Sequence, residues 1–394
     1  MRDQRPYPQI PTPAITLSLF LGAVLRLPSL LQIQAETLRR GWQHLVGHRE
    51  PISDDSLGYV LERYHLEDWR AVLVSTNRQL KENKQLESAK IGGLLVVALD
   101  ANEQFKSRCR CCAQCCQRRI EITDETGQKQ EVIEYYHRQV YAHLSGPELS
   151  VILDLEAIHP GEEEATAALR LLGRMRRMYG VRFLDAITVD AWYTKGPFLK
   201  AVQKLGWGVV TVLKQERFEI YQEATALMES QFPILLEKEQ RQVKLWEVNH
   251  LSFTETIGPV RVVVAQETWP EAHRVAGRRV VEDQESHWRW AVTQELSGCS
   301  AQQIWQMGHR RWGVENHAFN ELTQYYHLEH CPRHEPVAIL AWLLILVLAM
   351  NLFELFARVH GKLLRLGKAT LQEIAKQLDR GMERWEELEP LWSG

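Results

Sequence analysis

The chain has 394 residues, of which 45% are hydrophobic and 25% charged, and its mean hydropathy is −0.30. These values are typical of a soluble globular protein with one large domain or two to three ordinary ones. The formal net charge of −3 excludes a chain that binds nucleic acid through an overall basic balance. Nucleic acid would have to bind local patches, such as the predicted helix that carries arginines at positions 170, 174, 176 and 177.

Secretion and membrane signals are weak. The segment Met1–Arg5 leads into prolines rather than into an apolar core with a cleavage site, so no signal peptide is expected. Residues 337–350 form an unbroken apolar run of 14 residues, which is shorter than the roughly 18 of a membrane span. We therefore predict a buried core helix there and a cytoplasmic, nucleoid-associated protein without a membrane partner.

The N-terminal region, residues 1–90, is predicted to be mostly helical, with breaks at Pro28 and around Gly47–Pro51. Ser53 is suited to cap one helix, and a second helix begins near His65. Two short helices joined by a turn occur in DNA-binding and dimerisation heads and equally as packing helices, and no basic recognition face is visible. Both interpretations remain open.

A strand-rich region, residues 91–214, follows. Three strands, a helix, a strand, a helix and a strand are predicted in that order, which is the order of an RNase H-like domain. The fold class is therefore α/β, with a mixed sheet flanked by helices. The strands are Leu94–Asp100, Glu131–Leu144, Ser150–Ile158, Phe183–Asp190 and Trp207–Lys214, and the helices are about Glu163–Tyr179 and Gly196–Leu205.

Residues 215–294 interrupt this pattern. They hold strand candidates at Gln242–Asn249, Val260–Glu267 and His287–Gln294, and a segment this long and regular is a β-rich insertion rather than a loop. The RNase H-like domain resumes over residues 295–360, with a helix from about Ala301 to Tyr325 and the apolar helix after it. Residues 361–394 are expected to form a C-terminal helical tail.

Three acidic residues stand out. Asp100 and Asp190 each end an apolar strand run, and Glu315 lies in a predicted helix. A carboxylate at the end of a buried strand is costly unless a cation or a proton compensates its charge. Two such aspartates and a helical glutamate make an oxygen-only site, which suits the Mg²⁺ or Mn²⁺ that phosphodiester chemistry uses.

The sequences around these carboxylates are more specific than the carboxylates alone. They are Leu99-Asp100, the segment DAWYTKGPFL at 190–199 with VLK at 212–214, and RRWGVENHAFNEL at 310–322. Together they resemble the DDE transposases of bacterial insertion sequences, in the branch with a β-rich insertion before the glutamate. The likeness extends from about residue 90 to 356, and it implies that Asp100, Asp190 and Glu315 form the metal-binding catalytic triad.

Members of that branch often carry a Tyr-Arg-Glu-Lys signature around the glutamate, and this chain keeps it in part. Arg311 stands four residues before Glu315, but Gly308 takes the tyrosine place and Leu322 the lysine place. Since positions 311 and 315 share a helix face, the arginine is expected to bind a DNA phosphate beside the metal-bound one. Further DNA contacts are expected at Lys195, Lys214, Arg118 and Arg119.

The resemblance implies a DNA transposase that binds the ends of its element and then carries out 3′-end cleavage and strand transfer, of the cut-and-paste type. Two divalent ions about 4 Å apart would activate water and stabilise the leaving 3′-oxygen. The expected partners are double-stranded element ends and target DNA, with a homodimer on DNA. An RNase H-like nuclease without strand transfer and an inactive domesticated DNA-binding protein are the alternatives.

Whether hairpin intermediates form is left open by the sequence. A tryptophan of the insertion that stacks on a flipped base would support them, although core packing is the commoner role of a tryptophan. The candidates are Trp246, Trp269, Trp288 and Trp290.

Five of the seven cysteines lie within residues 109–116, and such clustering indicates a metal site rather than a disulfide framework. Cys109, Cys112 and Cys115 have the two-residue spacing that suits tetrahedral zinc, and His137 is a candidate fourth ligand. The flanking arginines would then lie on a zinc-stiffened basic hairpin. A metal-free thiol cluster is the alternative.

Overall fold

Strands from both halves of the chain hydrogen-bond into one sheet, which in the described part of the chain has ten strands. The computed structural model describes residues 1–125, 127–147, 149–216, 218–238, 240–254, 257–275, 278–360 and 370–388. Helices cover both faces of this sheet. Since Val97 and Leu99 of the first strand belong to one apolar core and Ala98 to another, the two cores lie on opposite faces.

The N-terminal region forms five helices, with breaks where the prolines and glycine predict them. Ser53 accepts a hydrogen bond from the Ser56 backbone and caps the fourth helix, as expected. Most apolar side chains of these helices, among them Trp42 and Trp69, lie in the same core as the long apolar helix near the C-terminus, while Val74 and Leu80 of the fifth helix lie in the other core. The helices are α1 (Thr12–Val24), α2 (Leu30–Glu36), α3 (Arg40–Val46), α4 (Asp54–Leu61) and α5 (Leu66–Glu82).

The central strands have the predicted RNase H-like order. They are β1 (Val96–Ser107), β2 (Cys116–Thr123), β3 (Lys129–Ser145), β4 (Ser150–Ile158), β5 (Ala186–Val189) and β6 (Gly208–Val212), with helices α6 (Glu164–Tyr179) and α7 (Gly196–Lys204). The order β4-β3-β1-β5-β6 has β3 and β4 antiparallel to their neighbours, and β1, β5 and β6 parallel. The α/β fold class with a mixed sheet is confirmed.

Two features of this sheet differ from the prediction. Strand β1 continues to Ser107, so Asp100 lies inside a strand rather than at its end. Strand β2 was not predicted; it pairs with the first half of β3, from Cys116 opposite Tyr136 to Thr123 opposite Lys129. Both segments are rich in polar residues, because they lie at the margin of the sheet where one side faces solvent.

The insertion extends this same sheet. It contains helix α8 (Glu219–Glu229) and strands β7 (Ile234–Lys238), β8 (Arg241–Leu251), β9 (Val260–Val275) and β10 (Arg278–Val292). Strand β10 pairs antiparallel with β6, and the order continues through β9 and β8 to β7. Beyond the pair of Gln242 with Thr268, β9 and β10 pair with each other alone within the described residues and form a long two-stranded arm.

The last part of the chain is helical but broken. Helix α9 (Ala301–Arg310) is followed by a π-helical segment (Val314–Phe319), α10 (Asn320–Tyr325), α11 (Pro336–His360) and α12 (Leu371–Leu388). The predicted continuous helix from 301 to 325 is therefore interrupted. The predicted tail lies outside the described residues at 361–369 and 389–394.

Helix α11 is the centre of the second core. Among the described residues, one segment, Pro336–Val359, has the length and composition to cross a membrane, but 78% of its most apolar window is buried inside the structure. It packs against α1, α4 and α5 on one side and β4 on the other. The apolar run at 337–350 is thus a buried core helix, as predicted.

Candidate active site

Asp100 and Asp190 lie on neighbouring parallel strands. The register pairs Ala98 of β1 with Thr188 of β5, and each aspartate follows its residue of this pair by two positions. Residues two apart on a strand share a face, so Asp100 lies on the same face as Ala98, and Asp190 directly follows the end of β5. Asp190 is held at the end of β5, where its Oδ1 accepts a hydrogen bond from the Trp192 N–H at 2.8 Å.

Arg311 connects Glu315 to Asp100. One guanidinium nitrogen of Arg311, Nη1, lies 3.3 Å from Asp100 Oδ2 and 3.1 Å from Glu315 Oε1. The Arg311 side chain is 5% exposed, whereas that of Glu315 is 42% exposed. Glu315 belongs to the π-helical segment, a widened turn that is frequent at functional sites. The structure therefore brings Asp100, Arg311 and Glu315 into one contact group beside Asp190.

The electrostatics of this group show a shortage of positive charge. Burial raises the pKa of the Asp100 carboxyl, Arg311 offsets part of this, and Glu315 raises it again, to about 7. Burial, then Glu164, and then both aspartates raise the pKa of the Tyr193 hydroxyl. The charges of Asp100 and Asp190 thus act on the same hydroxyl.

The donor set fits a divalent cation. Asp100, Asp190 and Glu315 offer carboxylate oxygens, and Arg311 is their one described cationic contact. Oxygen ligands in this number suit Mg²⁺ or Mn²⁺ better than a soft metal. These three carboxylates could supply oxygen ligands to such an ion.

The lysines expected to contact DNA lie at the same edge of the sheet as Asp190. Lys195 precedes α7, pairs with Glu163 at 2.9 Å and lies over the Trp192 ring at 5.4 Å. Lys214 follows β6 and is exposed. Trp192 itself is 61% exposed. No role for this tryptophan was predicted from the sequence, although it lies two residues after Asp190.

The arginines expected to contact DNA have carboxylate partners. Arg311 is buried against the two carboxylates described above. Arg118 lies between Glu103 and Glu134, at 2.9 and 2.6 Å. Arg119 is 80% exposed and pairs with Glu131 at 3.3 Å.

The tryptophans of the insertion differ in their surroundings. Trp290 is buried in the core, and Trp288 stacks on it with ring centroids 6.0 Å apart. Trp288 also meets the ring of Trp312, next to Arg311, edge-on at 6.0 Å. Trp246 donates to the Gln231 carbonyl, and Trp269 lies under the Arg241 guanidinium. Of the four candidates, Trp288 therefore contacts a residue that lies three positions before Glu315.

A second group of polar side chains joins part of the cysteine cluster to a distant histidine. Ligand atoms of Cys112, Cys115, His137 and His334 all lie within 4.8 Å of one another. Cys109 is exposed and lies outside this group, and its backbone N–H bonds to Ser107 Oγ. His334 was not predicted from the sequence, although the segment HLEHCPRH at 327–334 is rich in histidine and contains a cysteine.

With this geometry established, comparison with known proteins identifies the class. Residues 140–352, just over half of the chain, match the family model of the transposase DDE domain, so the chain belongs to this family. The predicted relationship to DDE transposases is confirmed, and with it the class of enzyme, a metal-dependent nuclease and transesterase. The matched span contains Asp190 and Glu315, and Asp100 precedes it.

Among solved structures, the chain is similar to a piggyBac transposase in a synaptic complex with hairpin DNA, determined by cryo-EM. The TM-score is 0.42 and the identity 11%, over 96% of this chain and 72% of that one. No curated protein matches the chain.

Proposed function

We propose that this transposase binds the ends of an insertion sequence, cleaves the DNA to free a 3′-hydroxyl, and joins that hydroxyl to target DNA in a cut-and-paste reaction. The observation that carries the proposal is the contact of one Arg311 nitrogen with both Asp100 and Glu315, next to Asp190 at the end of β5. The likeness to insertion-sequence transposases implies these three carboxylates as the catalytic set, and the contact supports that assignment.

In this proposal Asp100, Asp190 and Glu315 hold two Mg²⁺ or Mn²⁺ ions. Such ions, when bound, activate the attacking oxygen and stabilise the leaving 3′-oxygen at the phosphate. The thiol–imidazole group of Cys112, Cys115, His137 and His334 is a separate, softer centre with a different chemistry.

The protein's own residues hold the reacting groups in place. The rigid strands β1 and β5 fix the two aspartates, and Arg311 orients Glu315 toward Asp100 through its shared nitrogen. Because Arg311 is buried, its first role is to hold these carboxylates, and its contact with a DNA phosphate would follow a rearrangement of the pair. Precise orientation of the ligands is what transfer of a phosphoryl group needs.

DNA would lie along the edge of the sheet beyond β5 and β6. Lys195 and Lys214 supply positive charge there, and the exposed ring of Trp192 offers a face on which a base can stack. We propose that both element ends and target DNA use this edge, in a homodimer formed on the DNA. Since its substrate is cellular DNA, we place the enzyme's action in the cytoplasm, at the nucleoid.

A strand-transfer assay tests this function. The purified chain is incubated with Mg²⁺, a duplex carrying the element's own end with a free 3′-hydroxyl, and a plasmid target. Joined end–plasmid products are expected, and Glu315→Gln should abolish them while Glu229→Gln, at an exposed glutamate on α8, leaves them unchanged. Cleavage without any joined product would replace the transposase mechanism with that of a plain nuclease.

A further inference from the structure

The thiols of Cys112 and Cys115 face two imidazoles from distant parts of the chain. Cys115 Sγ lies 3.3 Å from His137 Nε2 and 3.1 Å from His334 Nε2, and Cys112 Sγ lies 3.5 Å from His137 Nε2. The two sulfurs are 3.6 Å apart. Two sulfur and two nitrogen ligands thus surround one point, which the triad chemistry does not use.

These distances are close to those of a tetrahedral zinc site. With Zn–S bonds of about 2.3 Å and Zn–N bonds of about 2.0 Å, the edges of a tetrahedron measure roughly 3.8 Å between sulfurs and 3.5 Å between sulfur and nitrogen. Ordinary hydrogen bonds alone would not place four ligand atoms around a common centre. A Cys₂His₂ set with every position filled by protein is the pattern of a structural zinc ion.

The backbone around the thiols also has the form that thiolates favour. Residues 112–115 make a tight turn, in which the Cys115 N–H donates to the Cys112 carbonyl at 3.1 Å. The Cys112 N–H points to Cys115 Sγ at 3.2 Å. Such N–H donors to sulfur are the outer contacts that orient a ligand. Cys115 and His137 are buried, so the centre is shielded from solvent.

The position of the four ligands defines what the centre would connect. His137 on β3 is paired with Gln104 on β1, and Tyr141 on β3 is paired with Asp100. His137 and Tyr141, four residues apart on one strand, share a face of the sheet. The centre is therefore roughly 13 Å along the sheet from the Asp100 pair, at about 3.3 Å per residue.

His334 comes from a part of the chain far from the other three ligands. It belongs to the connection between α10 and α11, residues 326–335, which directly follows the helical segment that carries Glu315. Among the described residues, the hydrogen bond of this connection to the strand-rich region comes from His334, which contacts Cys115, while Tyr326 and Leu328 pack in the apolar core. The centre would fasten the connection after Glu315 to the strands next to Asp100.

We propose that Cys112, Cys115, His137 and His334 bind one structural zinc ion, which fixes the connection 326–335 to β3. Zinc binding itself is independent of the proposed function. Its effect on the triad rests on that function, because the ion would hold the Glu315 segment against the strand that carries Asp100.

Metal content gives the first test. The chain is purified under reducing conditions without chelator, and zinc is measured by elemental analysis. About one zinc per chain is expected for the wild type and for Cys109→Ser, whose thiol is exposed in the same loop. Cys115→Ser and His334→Ala should each contain less than a tenth of that amount. Absence of zinc from the wild type, or full zinc in His334→Ala, would overturn the assignment.

Cobalt substitution covers the case in which a ligand variant fails to fold. Wild-type chain exchanged with Co²⁺ should show the intense visible bands of tetrahedral cobalt and the near-ultraviolet charge-transfer band of two thiolates. A weak octahedral spectrum would contradict the four-ligand site, and a spectrum with three thiolates would replace one histidine with another cysteine.

Hydrogen exchange tests what the ion connects. Removal of zinc should increase amide exchange in residues 326–335 and in 108–115 at least tenfold, and leave the distant β7–β8 pair unchanged. Unchanged exchange at 326–335 would show that the ion does not fasten this connection. Because none of these three measurements uses DNA, failure here is distinguishable from failure of the transposase mechanism.

Discussion

Glu267 of the insertion accepts a hydrogen bond from His309 Nε2 at 2.5 Å, although its carboxylate is fully buried. The same carboxylate accepts from Trp305 Nε1 at 2.8 Å and pairs with Arg241. His309 lies on α9, two residues before Arg311. Hydrogen bonds from α9 to Glu267 therefore connect the insertion to the helix that precedes Arg311 and Glu315.

Loss of a triad carboxylate should remove cleavage but not the fold. Asp100→Asn, Asp190→Asn and Glu315→Gln each delete one proposed metal ligand, so we expect cleavage to fall at least about 100-fold. Circular dichroism should stay near that of the wild type for all three variants, while the thermal midpoint should fall for Asp100→Asn, which removes a partner of the buried Arg311. A variant that cuts an element end at the wild-type rate in Mg²⁺ would remove its residue from the triad.

Arg311→Met should destabilise the protein in a metal-dependent way. The change leaves Asp100 and Glu315 without their shared cation, and loss of one partner of a buried ion pair costs about 3 kcal/mol. Mg²⁺ should restore more stability to this variant than to the wild type, because the ion supplies the missing charge. Urea unfolding with and without Mg²⁺ measures the difference.

Arg119→Met is the matched control for that experiment, since its ion pair with Glu131 is exposed and should contribute less than about 1 kcal/mol. Equal stabilisation of Arg311→Met and the wild type by Mg²⁺ would separate Arg311 from the metal site.

Stability should fall in acid through Glu267. Burial alone would raise the pKa of this carboxyl, but the hydrogen bond and charge of His309, together with Trp305 and Arg241, lower it from 4.5 to about 2. A lowered pKa in the folded state stabilises the protein above pH 4.5, and this contribution is lost as the pH falls from 4.5 to 2. The full contribution is on the order of 3 kcal/mol.

The free energy of unfolding at pH 5 and pH 3 checks this, with Glu267→Gln compared with the wild type. The difference in the free energy of unfolding between the wild type and Glu267→Gln should be larger at pH 5 than at pH 3. Glu285→Gln, at a half-exposed position of β10, should show no such change. A gap that is independent of pH would mean that the charge of Glu267 does not contribute.

The edge beyond β5 and β6 should bind the DNA backbone. Lys214→Ala is expected to weaken binding of element-end DNA uniformly across sequences and to reduce the slope of log affinity against log salt by about 1. The control is Lys204→Ala. Lys204 lies at the end of α7 that is opposite Lys195, so this variant should leave the slope unchanged. Fluorescence anisotropy over a series of salt concentrations measures both.

The sequence predicted those parts of the fold in which hydrophobic burial decides the structure. Runs such as Val96–Leu99 and Ala186–Val189 are buried on both faces, and such runs are typical of central strands. The outer half of β1 and all of β2 were missed or shortened, because solvent-facing strands there carry charged residues such as Arg118 and Glu121. Pairing with β3, rather than composition, makes them strands.

Candidate site residues could be predicted from the sequence where they lie in segments that resemble a known family. They could not be predicted where their role depends on contacts between distant parts of the chain. Asp190 and Glu315 are surrounded by family sequence, whereas His334 meets Cys115 across a separation of 219 residues. In the sequence, Glu267 is one polar residue of a strand in which polar and apolar residues alternate. It is buried because Trp305 and His309 of α9 pack on it. The break between α9 and the π-helical segment was also not predictable. A π-helical turn has about one more residue than an α-helical turn, which changes the spacing of apolar residues in the sequence little.

The pairing of β10 with β6 makes the insertion a permanent part of the catalytic sheet. A variant that deletes residues 215–294 would leave β6, and with it Val210 and Val212, as an open apolar edge. Unpaired edges of this kind template association between chains, so the shortened protein should aggregate rather than survive as a minimal nuclease. Length can be changed safely at the far tip of the β9–β10 arm, where the strands have no other neighbour among the described residues. The arm can therefore change in length without opening the catalytic sheet, whereas the root of the insertion next to β6 cannot.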